Sequence, residues 1–257
     1  MFHDQSASTL AVFSHPNHEL AILGLLQRLR PNIIFLTDGG GGTRVTESQK
    51  GLESIDLLDQ ATFLNFPEAS FYDSLCARDH SFFKEVAERV FNLMDSCGPD
   101  QILCDAVEFY NPVHDLSLPI VRSAIRKSRD VAVFEVPLIY EKSKGTEDYE
   151  VQRFPTSRRE EQIEIKLSDV ELKKKLGARD RIYVTLMDEL GAVLSHLPPK
   201  HVALEVVAPA CSAIPTPRID QTLRYEWRGE LLLKKGMIHE VITYQGHYLP
   251  IASTLLS

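Results

Sequence analysis

The sequence is short of the features that mark membrane proteins, disulfide scaffolds and nucleic-acid binders. No uninterrupted apolar run reaches the ~20 residues of a bilayer span. The first residues, Met1-Phe2-His3-Asp4-Gln5, carry no basic stretch followed by an apolar core, so no secretory signal is expected. Cysteines are few: Cys76, Cys97, Cys104 and Cys211. Their spacing matches neither a zinc knuckle nor a compact disulfide framework, and the expectation is a reduced, cytoplasmic protein with structural thiols. Positive charge is scarce as well. Lys and Arg number 28 against 36 Asp and Glu, a net charge of -8. Binding to a phosphate backbone needs clustered Lys and Arg, so a nucleic-acid partner is not expected. The basic runs at Arg158-Arg159, Lys173 to Lys175 and Lys234-Lys235 adjoin acids and read as solvated helix faces. The chain also lacks the G-x-S-x-G elbow of a serine hydrolase. Its glycine run, Asp38 to Gly42, has neither the G-x-G-x-x-G spacing nor the Lys-Ser/Thr of a phosphate loop.

What is present is globular. The 257 residues are 44% hydrophobic and 25% charged, enough to bury a sizeable core. Thr9 to Ser14 reads as a buried strand, and Leu20, Leu23, Leu26 and Leu29 line a helix over 18–30. Ile33 to Leu36 is a second buried strand, which makes a βαβ unit and a parallel sheet. Thr46 is placed as the N-cap of a helix over 47–58. Strands are expected at 62–66, 101–104 and 131–136, with helices at about 82–94 and 116–127. The expected fold class is α/β: a Rossmann-like, doubly wound, mostly parallel sheet with helices on both faces. Beyond Pro137 the pattern loosens. Residues 141–160 read as a loop or lid, 162–167 as a strand, and 168–176 and 180–196 as helices. Residues 208–218, with three prolines, read as a surface loop. The last 35 residues read as short strands with a terminal helix. One domain is expected over 1–257, with its core at about 9–140 and a less regular part at about 141–257.

Histidines supply the candidate chemistry. His15 and His18 follow the first strand, and His114 lies in Tyr110-Asn111-Pro112-Val113-His114-Asp115 beyond the strand at 101–104. Ligands in open parallel sheets collect at the carboxyl ends of strands. Two imidazoles from one turn and a third from another form a plausible three-nitrogen site for zinc, or another divalent transition metal, with an open position. The alternative is three histidines that cap or hydrogen-bond and hold no metal.

The stretch Ser14 to Glu19, the Thr37-Asp38-Gly39 turn, Phe66-Pro67-Glu68 and Asn111 to Asp115 occur in the order that resembles the PIG-L/LmbE-like superfamily. That superfamily contains zinc-dependent de-N-acetylases of N-acetylglucosaminyl conjugates and related amides. The resemblance implies metal-dependent removal of an N-acyl group from a sugar or small metabolite, with a small-molecule partner. Whether copies of the chain assemble stays open.

By the same resemblance, the pattern His-Pro-Asp-Asp-Glu makes His15 a metal ligand. It puts His18 where a ligand aspartate stands and Asn17 where the general base stands. His114 keeps a ligand role. Asn111 and Val113 replace polar helpers, with Asn111 facing substrate. An amide cannot accept the proton, so another group must take that step. Glu108 is the first choice among the nearby carboxylates, which also include Asp115 and Glu19. Asp38 and Arg44, at the rim loop, and Tyr110 are the further substrate contacts. The open alternative is a family member that binds a sugar or amide ligand without hydrolysing it. His239 and His247 have no assigned role.

Overall fold

The computed structural model describes residues 7–125, 130–211, 213–217 and 223–257. Nine strands are found among them. β1 (Thr9–Phe13) is wholly buried inside a seven-stranded sheet. β2 (Asn32–Thr37), β3 (Ala61–Phe66), β4 (Gln101–Asp105) and β5 (Ala132–Val136) complete its parallel part. β6 (Ile139–Glu141) and β7 (Tyr149–Val151) form a separate antiparallel hairpin. β9 (Leu204–Pro209) joins the main sheet antiparallel to β5, and β8 (Ile163–Lys166) pairs antiparallel with β9 at the edge. The order is β3-β2-β1-β4-β5-β9-β8. The fold class is the α/β one expected, with a mixed rather than purely parallel sheet.

Alternation of side chains divides the core in two. Leu10 and Val12 of β1 face one apolar layer, with Phe83, Val86 and Val90 of the His80–Cys97 helix, Ile120 and Ile251. Ala11 and Phe13 face the other, with Leu23, Leu26, Leu52 and Tyr183. A sheet covered on both faces must read as continuous apolar runs, and β1, β2 and β4 do.

β1 pairs in parallel with β2 on one side and with β4 on the other. The chain therefore winds outward from β1 in one direction, then from β4 in the other. The crevice outside the carboxyl ends of these two strands is the topological switch point, where such sheets bind ligands. His15 and His18 follow β1 directly, and His114 follows β4.

Several local expectations change. The second helix runs over Gly42–Glu53, so Thr46 lies inside it and donates to the Gly42 carbonyl at 3.0 Å instead of capping. A helix over Glu68–Ala77, absent from the sequence reading, carries Glu68 in its first turn. The segment expected as a surface loop from 208 begins inside β9, a strand covered on both edges. The described part of the last 35 residues holds no strand. It forms a helix over Arg224–Lys234, a wide turn at Tyr244–Tyr248 and a helix over Leu249–Leu255. Tertiary burial overrides local pattern in these short segments. The helix expected over 116–127 is Ser117–Ala124, and residues 126–129 lie outside the described ones.

Candidate active site

Three buried imidazoles meet at the switch point. Ring centroids lie 5.1 Å apart for His15 and His18, 5.0 Å for His15 and His114, and 4.4 Å for His18 and His114. The turn that makes this possible is tight. Asn17 has φ 83°, in the left-handed region that Asn tolerates better than most residues. His15 and His18 thereby leave the end of β1 on the same side.

Hydrogen bonding fixes which nitrogens are free. The Thr37 hydroxyl donates to the Ser14 carbonyl at 2.8 Å, so its oxygen can only accept from His15 Nδ1, 2.7 Å away. His15 is thus assigned Nδ1–H, and Nε2 carries a lone pair. That Nε2 is buried and has no hydrogen-bond partner. Asp105 Oδ2, at the end of β4, accepts from the Ser14 amide at 2.7 Å, from the Ser14 hydroxyl, and from His18 Nδ1 at 3.0 Å. His18 is likewise left with its Nε2 lone pair. His114 Nδ1 is buried without a partner. Burial, the largest cause, holds the pKa values of His15 and His114 well below the usual imidazole range, and His18 adds to the effect. Both rings are neutral near pH 7, the state in which imidazole donates a lone pair.

A buried nitrogen left without a partner costs roughly 1–3 kcal/mol, so orphans of this kind call for an occupant. Among the described residues no set of three His, Cys, Asp or Glu side chains is already closed around an ion position. The donor chemistry nevertheless fits a divalent transition metal: neutral nitrogens, buried, with two of the rings oriented by a carboxylate and a hydroxyl behind them. The orphaned nitrogens carry a free-energy cost that an ion drawn between the rings would relieve.

A cavity of about 150 Å3 opens over the trio, walled by Asn17, Arg44, Glu68, Tyr110 and Asn111. Glu68 brings a carboxylate to the cavity wall beside the histidines, with Oε1 3.8 Å from His15 Nε2. Burial raises the Glu68 pKa above the usual carboxylate range. The Asp38 carboxylate accepts from the Glu68 amide at 3.0 Å and so pins the helix start that carries it. Gly40 has φ +78°, and a Cβ there would stand 3.1 Å from Glu68 Oε2, so this turn needs glycine. Across the mouth, Arg44 pairs with Glu189 of the Val184–Leu194 helix.

The structure separates the remaining sequence candidates. Asn17, Arg44, Tyr110 and Asn111 line the cavity. Asp38 does not, and acts on it through Glu68. Glu108 is turned away: its two oxygens accept from the amides of Leu138 and Ile139 at 3.0 and 2.9 Å. Asp115 is also engaged inward, with Oδ1 accepting from the amides of Glu108 and Phe109 at 2.9 and 3.1 Å. Asn17 is held as an amide, donating to Glu47 Oε2 at 2.7 Å and accepting from Ser48 at 3.3 Å. The sequence reading missed Asp105, Thr37 and Glu189, and gave Glu68 no role. The signal for Glu68 was its place in the Phe66-Pro67-Glu68 motif; for Asp105 it was a lone acid ending an apolar strand.

Several solved structures with this architecture are deacetylases. A triple mutant of a deacetylase of the teicoplanin biosynthetic pathway is 16% identical, with a TM-score of 0.54 over 80% of this chain and 100% of that one. A complex of a teicoplanin-pathway deacetylase is 14% identical, with a TM-score of 0.55 over 80% and 100%. The deacetylase of the antimicrobial A40926 pseudoaglycone is 12% identical, with a TM-score of 0.55 over 79% and 96%. The chain shares the α/β fold of these deacetylases. At these identities the likeness is one of fold alone. No family model matches the chain, and no curated protein does. Within this fold, the segments that carried the sequence resemblance stand at the switch point, around one cavity. No helix among the described residues is long and apolar enough to cross a membrane.

Proposed function

We propose that the chain is a metal-dependent amide hydrolase that removes an N-acyl group from a sugar or other small amine, and that its whole length acts as one domain. The observation that carries this reading is the buried trio His15, His18 and His114, with unpartnered nitrogens at the switch point. Zinc, or another divalent transition metal, held there would supply a Lewis acid to polarise the amide carbonyl. Asp105 and Thr37 keep His18 and His15 in the tautomer that offers Nε2 to such an ion.

Proton transfer falls to Glu68, not to Glu108 or Asp115. Its carboxylate reaches the cavity, and its raised pKa brings it nearer to neutrality, where a group that first accepts and then returns a proton works best. It takes a proton from the attacking water and delivers one to the departing amine. Arg44 and Asn111 contribute donors at the cavity wall, and Tyr110 supplies an aromatic face.

A second reading rests on Asn17. Its amide, fixed between Glu47 and Ser48, cannot accept a proton where the resembling proteins place a base. On that reading the cavity binds an amide-bearing ligand without cleaving it. Metal analysis and an amine-release assay on N-acetyl sugars and N-acyl amines decide the matter. The expected result is one metal per chain and amine release that chelation abolishes and metal restores. Stoichiometric metal with ligand binding but no amine release favours the second reading. A chain that takes up no zinc, iron or manganese after supplementation overturns both metal-dependent steps.

A further inference from the structure

The cavity over the histidines is small. At about 150 Å3 it falls below the roughly 300–1,000 Å3 usual for small-molecule sites. It has room for the reacting amide and little else. A second cavity of about 660 Å3 lies beside it, and Tyr110 and Asn111 stand in the walls of both. It is built by the Arg224–Lys234 helix and the segment after it, packed against the Glu68–Ala77 helix.

The chemistry of this second wall is one-sided. Tyr72, Tyr225, Leu232, Met237 and Ile242 line it along with Tyr110. Its charged side chains, Arg224, Arg228, Asp73 and Glu240, are two of each sign, so the cavity has no net charge with which to select an ion. Two of the four are already engaged. The Arg224 guanidinium stacks 4.1 Å from the Tyr110 ring centre, and Glu240 pairs with His247 at 3.1 Å. Met237, at the cavity, is 67% exposed.

We infer that the second cavity seats the non-reacting part of the substrate, and that this part is an apolar or aromatic body joined to the amide across Tyr110 and Asn111. The inference rests on the hydrolase reading for the identity of the reacting group, and on the paired cavities for the rest. Binding energy gathered at a remote apolar subsite is what positions a small reacting group in a cavity too tight to hold more.

The test compares the methyl and phenyl glycosides of N-acetylglucosamine on the zinc-supplemented full chain, by calorimetry and by amine release. The phenyl glycoside is expected to bind about tenfold or more tightly than the methyl one. Met237→Glu, at an exposed position that tolerates charge in the fold, is expected to bring that ratio to near one. Leu232→Gln serves as a second variant on the same wall. Equal affinity for the two glycosides, or a preference that both variants leave intact, overturns the inference. A variant-sensitive preference without amine release supports the inference while the hydrolase reading fails. Amine release without the preference does the reverse.

Discussion

Two buried histidine environments in this molecule behave oppositely. His247, in the turn before the last helix, is fully engaged. Its Nδ1 accepts from the Thr243 amide at 2.9 Å, so Nε2 carries the proton and donates to Glu240 at 3.1 Å. The trio at the switch point is equally buried but leaves nitrogens without partners. Burial alone therefore says little about function; the unsatisfied donors and acceptors are what separate a site from a structural joint. The carboxylates repeat the lesson. Glu108 is enclosed by backbone amides, while Glu68, with one hydroxyl partner in Tyr72 at 3.2 Å, faces the cavity.

The carboxylate contrast gives the largest expected effect. Glu68→Gln should lower kcat by about 10²–10⁴-fold with metal content retained, as loss of acid–base catalysis does. Glu108→Gln should instead lower stability by about 1–3 kcal/mol, read as a shift in the urea midpoint, because one of the two buried amides would then face an NH2 donor in place of an oxygen. If Glu108→Gln abolishes turnover in a fully folded protein and Glu68→Gln does not, the assignment is reversed.

Next comes the support behind the histidines. Asp105→Asn should weaken metal affinity by about 10–100-fold, measured by competition with a chelating dye, since it perturbs the tautomer of His18. An unchanged affinity would mean that the ring needs no such orientation. His247→Ala should cost about 1–3 kcal/mol of stability and leave metal affinity where it was. A loss of bound metal in that variant would erase the distinction between the two histidine environments.

The smallest effect belongs to the surface. Paired hydrogen bonds from Arg28, the largest cause, pull the Glu171 pKa from 4.5 down to about 2. The folded value is the lower one, so the pair stabilises above pH 4.5, and this contribution is lost as pH falls from about 4.5 to about 2. Both groups lie at the surface within reach of solvent, which limits the effect to under about 1 kcal/mol. Acid titration of wild type against Glu171→Gln measures it.

Much of the sheet was readable in the sequence, because strands buried on both faces must be apolar through their centres, as Leu10 to Phe13 and Ile102 to Cys104 are. The histidines were readable too, since strand ends bring ligands together in any doubly wound sheet. The acids were not. Glu108 and Glu68 differ only in what surrounds them, and the amides of Leu138 and Ile139 lie 30 residues away from Glu108 in the chain. The second cavity was invisible for the same reason: Tyr110 and Met237 meet around it only after the last third of the chain has folded back. β9 escaped because its buried centre runs into proline at 209.

Asp105 ties two strands together. One carboxylate at the end of β4 grips the backbone and hydroxyl of Ser14 and the ring of His18, so the histidine loop after β1 is calibrated by its neighbour strand. The loop is therefore not a portable cassette. Grafted onto another α/β sheet, the five residues from His15 to Glu19 would carry the letters of the motif without the ring orientation, unless the recipient's adjacent strand also ended in an acid.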